Sequence, residues 1–352
     1  MQVDLHDRAA VTALDPHGML RLTEQFPKQC REALAIAESS KLPDLVNRPS
    51  MVVLTGLGGS AAGGDFVRAL FEAQGSTPFV VNRDYHLPNF LGLGDLVFCC
   101  SYSGNTEETL SAYHDAKKAG AKIVAITSGG KLSELAQADG HAVVTVPGGQ
   151  PPRTALGFML IPAISVAERL KLIPQQPFEA AFSLLENCAK QWTVEGPDEA
   201  PKKLATALHG TLALIYGLGI WQGLIANRWK SQINENAKVL AFPNTFPELN
   251  HNEILGWAGA DKQGVAKYSV IALQNGKETE KMKARLRVTR DLIGSKASFH
   301  EVTALGESLL EQMLSLTFYG DFVSLYLAAL NQVDPENIDG INILKNELAK
   351  VD

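Results

Sequence analysis

Leu96-Val97-Phe98-Cys99-Cys100 runs straight into Ser101-Tyr102-Ser103-Gly104-Asn105-Thr106-Glu107-Glu108-Thr109, and the reading of that junction decides the fold. The apolar run is short and bounded, as a buried strand is. Leu110, Tyr113 and Ala116 then recur at helical spacing. The junction is therefore a strand, a tight hydroxyl-rich turn and a helix start. Asn105 is expected to cap the helix, with Glu108 reaching back as its third residue in the manner of a capping box. Backbone N–H groups left at the helix start, the positive end of a dipole equivalent to roughly half a charge, and the hydroxyls of Ser101, Ser103 and Thr106 suit such a turn to a phosphate. An ordinary Ser/Thr-rich cap has the same composition, so this turn alone does not establish a ligand.

Working outward, the pattern repeats. Met51 to Thr55 is a short β-branched strand that enters Gly56-Leu57-Gly58-Gly59-Ser60-Ala61-Ala62-Gly63-Gly64-Asp65 and then a helix through Phe66, Leu70 and Phe71. Pro78–Asn82, Asp95–Cys100, Lys122–Thr127 and His141–Val146 read as further strands, most of them separated by helical segments. That alternation predicts an α/β fold, a mainly parallel sheet with helices on both faces. Two phosphate-type turns in one sheet can converge at the C-terminal ends of its strands. Gly56 to Ala61 also satisfies the G-x-G-x-x-A dinucleotide pattern, with Asp84 placed where a ribose-binding acid could sit. A nicotinamide-dependent enzyme is thus a rival reading, although the Ser101–Thr109 turn favours a compact monophosphate.

The second half opens like the first. Thr211–Tyr216 is a strand, Gly217-Leu218-Gly219 a turn and Ile220–Asn234 a helix, which suggests two copies of one α/β unit. The second copy lacks the glycines and small hydroxyls of a phosphate cradle. Val239–Phe242, Tyr268–Leu273 and Ala297–Val302 read as its later strands, and Gly306–Leu330 and Ile338–Lys350 as helices. With 352 residues, and taking about 150 per domain, the chain divides into an N-terminal helical segment (1–40, with one amphipathic helix over Gly18–Ser39), a first subdomain (41–173), a helical linker (174–202) and a second subdomain (203–352).

Composition excludes several classes. A net charge of −6 with 20% charged residues supplies no dense basic face for nucleic acid, and the mixed run Lys277–Arg290 reads as a solvated helix face. Four cysteines, Cys30, Cys99, Cys100 and Cys188, lack metal-ligand spacing and fit a reducing cytoplasm as buried thiols. No metal site and no signal peptide is read, and the apolar stretch Thr211–Ala226 falls short of the ~20 residues that a membrane span needs.

Two stretches carry candidate chemistry. Ser231 to Lys238 ends a helix with crowded polar groups, where Glu235 could serve as a general base if desolvated, or could be a plain surface carboxylate. Glu248-Leu249-Asn250-His251-Asn252-Glu253-Ile254 follows Pro247 in a loop, where His251 could act as an acid or base or could be a surface histidine.

Taken together, Gly56–Ser60, Ser101–Thr109, Pro152-Arg153, Asn234–Lys238, Glu248–Glu253 and Leu344-Lys345 resemble the sugar isomerase (SIS) fold and, within it, the bifunctional phosphoglucose/phosphomannose isomerases. The resemblance implies two SIS-type doubly wound subdomains and an enzyme that interconverts glucose 6-phosphate, and mannose 6-phosphate, with fructose 6-phosphate without a cofactor. It implies that Ser101, Ser103 and Thr106 hold the sugar phosphate, with Gly58, Gly59 and Ser60 lining the same pocket. By the same likeness Arg153 stabilises the enediolate, Glu235 shuttles the proton between C1 and C2, and His251, assisted by Lys345, opens the sugar ring. The histidine would reach the site from the other subunit of a homodimer. Phe158 stands where many relatives have Tyr, and Asp334–Ile338 is less similar, which bears on mannose 6-phosphate more than on isomerisation. A phosphosugar-sensing module without catalysis is the other alternative. An amidotransferase-linked aminosugar synthase is not expected, since no nucleophilic N-terminal cysteine is read.

Overall fold

The computed structural model describes residues 3–348 and residue 350. Residues pack into two units. One comprises Gln25–Glu186 with Gly306–Glu311, and the other the residues up to Glu24, Asn187–Leu305 and those from Gln312 onward. The second thus takes in the first 24 residues, a division by packing that does not follow the sequence segmentation at residues 40, 173 and 202.

The chain begins with α1 (Arg8–Thr12) and α2 (Met19–Glu24), followed by α3 (Phe26–Ser39). The single amphipathic helix expected over Gly18–Ser39 is therefore two. Pro27 explains the break, because proline sits readily in a first helical turn and disrupts an interior.

The first unit then lays down β1 (Val52–Thr55), α4 (Gly58–Gln74), β2 (Phe79–Asn82), β3 (Leu96–Cys100), α5 (Glu107–Ala119), β4 (Lys122–Thr127), α6 (Gly130–Ala138), β5 (Ala142–Thr145) and α7 (Leu156–Arg169), with a 3-10 turn at Pro152–Thr154. All five strands are parallel, in the order β2-β1-β3-β4-β5. Because strand side chains alternate, Val53, Val97, Cys99, Ile123 and Ala125 face Tyr113 and Ala116 of α5 and Leu132 and Ala136 of α6. Leu54 and Val81 lie against α4 at Gly64, and α4 packs on α7. The doubly wound sheet read from the alternation of strands and helices is the one observed.

The second unit contains α9 (Ala200–Leu208), which follows α8 (Phe178–Trp192), then β6 (Leu212–Gly217), α10 (Ile220–Ala237), β7 (Ala241–Thr245), α11 (Glu253–Gly256), β8 (Tyr268–Gln274), α12 (Glu280–Ile293), β9 (Ala297–Thr303), α13 (Leu309–Leu330) and α14 (Asp339–Leu348). Its parallel sheet runs β7-β6-β8-β9, which matches strand for strand the first four of the other sheet. Tyr216, Val270 and Ala272 meet Trp257, Leu286 and Ile293 in one core layer, while α10 covers β6 and β7 and is itself backed by α13.

Boundaries shift by a residue or two from the expectation at most strands. The strand after α10 begins at Ala241 rather than Val239, and α13 begins at Leu309 rather than Gly306. Residue 349, within the helix expected over Ile338–Lys350, lies outside the described residues. One helix among the described residues, α13, is long and apolar enough to cross a membrane, but it is a core helix whose most apolar stretch is 89% buried. No group of acidic, histidine or cysteine side chains suited to a metal occurs among the described residues. All four cysteines are buried and free, and burial pushes the Cys99 and Cys100 thiols well above their ordinary value.

Candidate active site

In the first unit, three backbone segments come together at the C-terminal ends of β1 and β3, where the strand order reverses. Open α/β sheets form ligand crevices at such a switch point. A Cβ on Gly56 would stand 2.7 Å from the Cys100 carbonyl oxygen, and one on Gly59 would stand 2.9 Å from that of Pro152. Only glycines allow the turn after β1 to lie this close to the turn after β3 and to the Arg153 loop. Gly58, Gly59, Ser60, Ser101 and Arg153 are thereby gathered into one region.

Gly58, Gly59 and Ser60 form the first turn of α4, whose cap position is the apolar Leu57 and carries no side-chain cap bond. The Ser60 N–H already donates to the Leu57 carbonyl at 3.1 Å, and the N–H groups ahead of it, as at any helix start, have no partner within the helix. The start of α5 behaves alike, since Thr106 occupies the cap position and its hydroxyl makes no capping bond to the helix. Instead the Thr106 hydroxyl meets the buried Ser101 hydroxyl at 2.8 Å, and Ser101 Oγ accepts from Gly104 N at 3.1 Å. Ser103 is exposed, its Oγ accepting from Asn105 N at 3.3 Å. Helix starts without side-chain caps and neighbouring hydroxyls are features that suit an anion.

The expected capping box is not present. Helix α5 starts at Glu107, so Glu108 is its second residue, and the Asn105 side chain accepts from Lys131 N at 3.1 Å while donating to the Ser103 carbonyl at 3.2 Å. Asn105 thus ties the turn to the first turn of α6, beyond β4. Ser128 does the same from the other side, donating from Oγ to the Tyr102 carbonyl at 2.7 Å. A tertiary partner has displaced the local one. Arg153 lies in the 3-10 turn after Pro151 and is only 5% exposed.

The second unit carries Glu235, His251 and Lys345. Glu235 occupies the last turn of α10 and is half-buried. The helix stops at Lys238, whose backbone turns left-handed (φ 57°) and whose ammonium donates to the Glu235 carbonyl and, at 3.3 Å, to that of Pro335. His251 ends the 3-10 turn Glu248–His251 and is exposed, while its neighbour Leu249 is buried in the core. Glu253, two residues on, faces inward. Tyr216 donates its hydroxyl to one Glu253 oxygen, and Asn244 donates its amide to the other. Burial and then the Glu253 charge push the Tyr216 hydroxyl well above its ordinary range. The stretch read as a loop is therefore two short helical turns fastened to β6 and β7. Lys345 is exposed on α14, a helix with no buried residue.

Two residues of consequence escaped the sequence reading. Gln29 lies on the buried stripe of α3 with Phe26, Cys30, Ala33 and Ala37, and its signal was a polar side chain at an apolar-face position. Tyr102, within the phosphate turn, is buried and bonds through its hydroxyl to Gln150 N.

Comparison with known proteins fits this geometry. Residues 45–163 match the SIS domain model, and residues 198–348 match the model of the bacterial phospho-glucose isomerase C-terminal SIS domain. The bifunctional phosphoglucose/phosphomannose isomerase of Caldicellulosiruptor bescii is 41% identical over 95% of this chain and 99% of its own length. The proteins of that name from Thermoplasma acidophilum and Aquifex aeolicus are 36% and 35% identical, each over 85% of this chain and 90% of its own length. Among solved structures, a hypothetical protein of Thermus thermophilus superposes with a TM-score of 0.74 at 16% identity, covering 98% of this chain and 93% of its own. The C-terminal domain of glucosamine-fructose-6-phosphate aminotransferase from Francisella tularensis gives 0.71 at 16% identity, over 91% and 98%. These two likenesses concern the fold. With two SIS domains in tandem and near-complete coverage by its sequence relatives, the chain belongs to the bifunctional phosphoglucose/phosphomannose isomerase family.

Proposed function

We propose that this protein interconverts glucose 6-phosphate and mannose 6-phosphate with fructose 6-phosphate, as an aldose–ketose isomerase working through an enediolate. The observation that carries this reading is the meeting of two uncapped helix starts with the Arg153 loop at the switch point of the first sheet. Membership of the isomerase family supports it.

In the open-chain aldose, Glu235 takes the proton from C2. The C2–H electron pair forms the C1–C2 double bond, and the carbonyl pair moves onto O1. Return of the proton to C1, with transfer of the O2 proton to O1 as O2 becomes the carbonyl, completes the ketose. Arg153 stabilises the oxyanion that develops between the two states. One carboxylate suffices, because the two carbons are adjacent and the acid and base roles follow each other in time. Ser101, Ser103 and Thr106 hold the 6-phosphate, with Gly58, Gly59 and Ser60 at the start of α4 lining the same pocket. Binding energy from this non-reacting end fixes the reacting carbons. His251, assisted by Lys345, moves the ring-opening proton, and is supplied across the interface of a homodimer. Rotation about C2–C3 of the enediolate exposes its other face to reprotonation at C2, which gives the mannose epimer. No cofactor enters these steps, and the cytoplasm, where hexose phosphates are made and used, is the proposed location.

A coupled assay starting from fructose 6-phosphate and separating the two aldose products tests the reading. Wild-type protein is expected to form both. Glu235→Gln is expected to lose about a thousandfold or more in turnover while binding of fructose 6-phosphate, measured by calorimetry, persists. Undiminished turnover in that variant overturns the assignment.

A further inference from the structure

We infer that Gln29, with Tyr102, is a positioning residue for Arg153, an inference that rests on the catalytic role proposed for that arginine. The Gln29 side chain is 5% exposed. Its amide nitrogen donates to Gln150 Oε1 at 2.8 Å and to the Thr154 carbonyl at 2.9 Å, and its Oε1 accepts from Gly157 N at 2.8 Å. The orientation of the amide is fixed, because two acceptors face the nitrogen and a backbone donor faces the oxygen. Those partners lie on both sides of Arg153 in the chain. Tyr102 holds the same loop from within the phosphate turn, its hydroxyl oxygen accepting from Gln150 N at 3.2 Å.

The bonds the loop makes to itself lie at its end, where Thr154 N and Oγ1 donate to the Pro151 carbonyl and Ala155 N to that of Pro152. Pro147-Gly148-Gly149-Gln150-Pro151-Pro152 contains three prolines without an N–H and two glycines without a side chain. Cross-links from elsewhere therefore hold the backbone that carries Arg153. Gln29 supplies three from α3, and Tyr102 supplies one that joins the loop to the residues holding the phosphate. Loss of the Gln29 amide would leave the buried Gly157 N and Thr154 O short of partners, and the cheapest relief is a displacement of the loop. A shift of about 1 Å in a group that must face a developing charge can cost on the order of a hundredfold in rate.

Gln29→Met keeps the side-chain length and removes the bonds, and Tyr102→Phe removes only a hydroxyl. Each is expected to lower kcat for fructose 6-phosphate about tenfold or more while leaving KM within about twofold, since the phosphate hydroxyls and helix starts are retained. The decisive measurement is a double-mutant cycle with Arg153→Ala, which alone is expected to lower kcat about a hundredfold. In the Arg153→Ala background, Gln29→Met and Tyr102→Phe are expected to cause no further loss, because the group they position is gone. Multiplicative losses would overturn the inference while leaving the role of Arg153 intact, and so would full kcat in folded Gln29→Met and Tyr102→Phe. An Arg153→Ala protein with normal kcat would instead overturn the reading on which the inference stands. Should Gln29→Met fail to fold, Tyr102→Phe carries the same cycle alone.

Discussion

Asn234 and Asn236 flank Glu235, and both are anchors. Asn234 accepts from Ala241 N at 3.0 Å, tying the helix end to the start of β7, and Asn236 donates to Ser324 Oγ at 2.9 Å on α13. Around His251 the design recurs, with Leu249 buried, Asn250 donating to Thr289 at 2.9 Å and Glu253 held by Tyr216 and Asn244. Glu235 and His251 thus both sit in segments pinned by their neighbours. Elsewhere single residues set the response to acid. Burial holds the His141 imidazole below its ordinary value of 6.5, with Lys117 and Lys122 acting in the same direction and Asp139 against them. His300 is lowered by burial alone. The unfolded chain therefore takes up these protons at a higher pH than the folded one, so stability falls as pH drops through and below the ordinary histidine range. Thermal melts are expected to give a lower Tm at about pH 5.5 than at about pH 7.5, and His141→Asn should shrink the difference. Further acidification removes a second contribution, present above the ordinary carboxylate range and lost as pH falls through the depressed folded value. Its source is Glu195, brought down to about 2 by the Arg8 guanidinium. At this scale the sequence singled out Glu235 and His251 as candidates, because polar groups crowd around them. It could not display their anchors, since the partner of Asn236 lies 88 residues away.

Between elements, α10 and α13 share a polar seam inside an otherwise apolar contact. Arg228 reaches Asp321 at 3.3 Å, Gln232 donates to the same carboxylate at 2.8 Å, and Trp229 donates to the Leu316 carbonyl at 2.8 Å. Burial pushes the Asp321 carboxyl up, and the guanidinium and amide draw it back. Removing one member of a buried pair strands the other, at a cost of about 3 kcal/mol or more. Asp321→Ala is accordingly expected to lower the denaturant midpoint by that equivalent, and because Gln232 and Arg228 share a helix with Glu235, to lower kcat as well. Helix starts show how local reading succeeds and fails. Asn105-x-x-Glu108 has the capping-box pattern but no capping box. Ser308-x-x-Glu311 has one, with Ser308 Oγ accepting from Glu311 N at 3.2 Å and the Glu311 carboxylate accepting from Ser308 N at 2.9 Å. The motif is the same in both places. At Asn105 the first turn of α6 offers Lys131 N as a competing donor, and no local pattern reveals a donor 26 residues away.

At the scale of the molecule, the alternation of short apolar strands and amphipathic helices was enough to give two parallel sheets, because period and length are local properties. The order of the strands was not read from the sequence, where the repetition of strand, glycine turn and helix showed only that the two halves are alike. The membrane-like apolarity of α13 is explained only by its burial, which is a property of the folded chain. Burial has a chemical consequence as well. With Cys188 pushed up to about 12 and the others higher, thiolate is scarce at neutral pH. The native protein is expected to react with a disulfide reagent far more slowly than the guanidinium-unfolded chain, which should titrate four thiols; rapid labelling of the native form would show that one of the buried sites opens readily.

The shared strand order of the two sheets has a further implication for how such a chain can change. Turn residues at the ends of β1 and β6 occupy equivalent stations, yet one carries Gly56–Ser60 and the other Gly217-Leu218-Gly219, whose Leu218 is buried in the core and donates its N–H to the Leu273 carbonyl. The strand order is the same with either, since most ladder bonds are made by the strands and not by the turns that leave them. Specialisation here is thus a matter of a handful of interchangeable loop positions on a duplicated frame. New substrates within the family can be sought there, by exchanging turns station for station, with the strands left untouched.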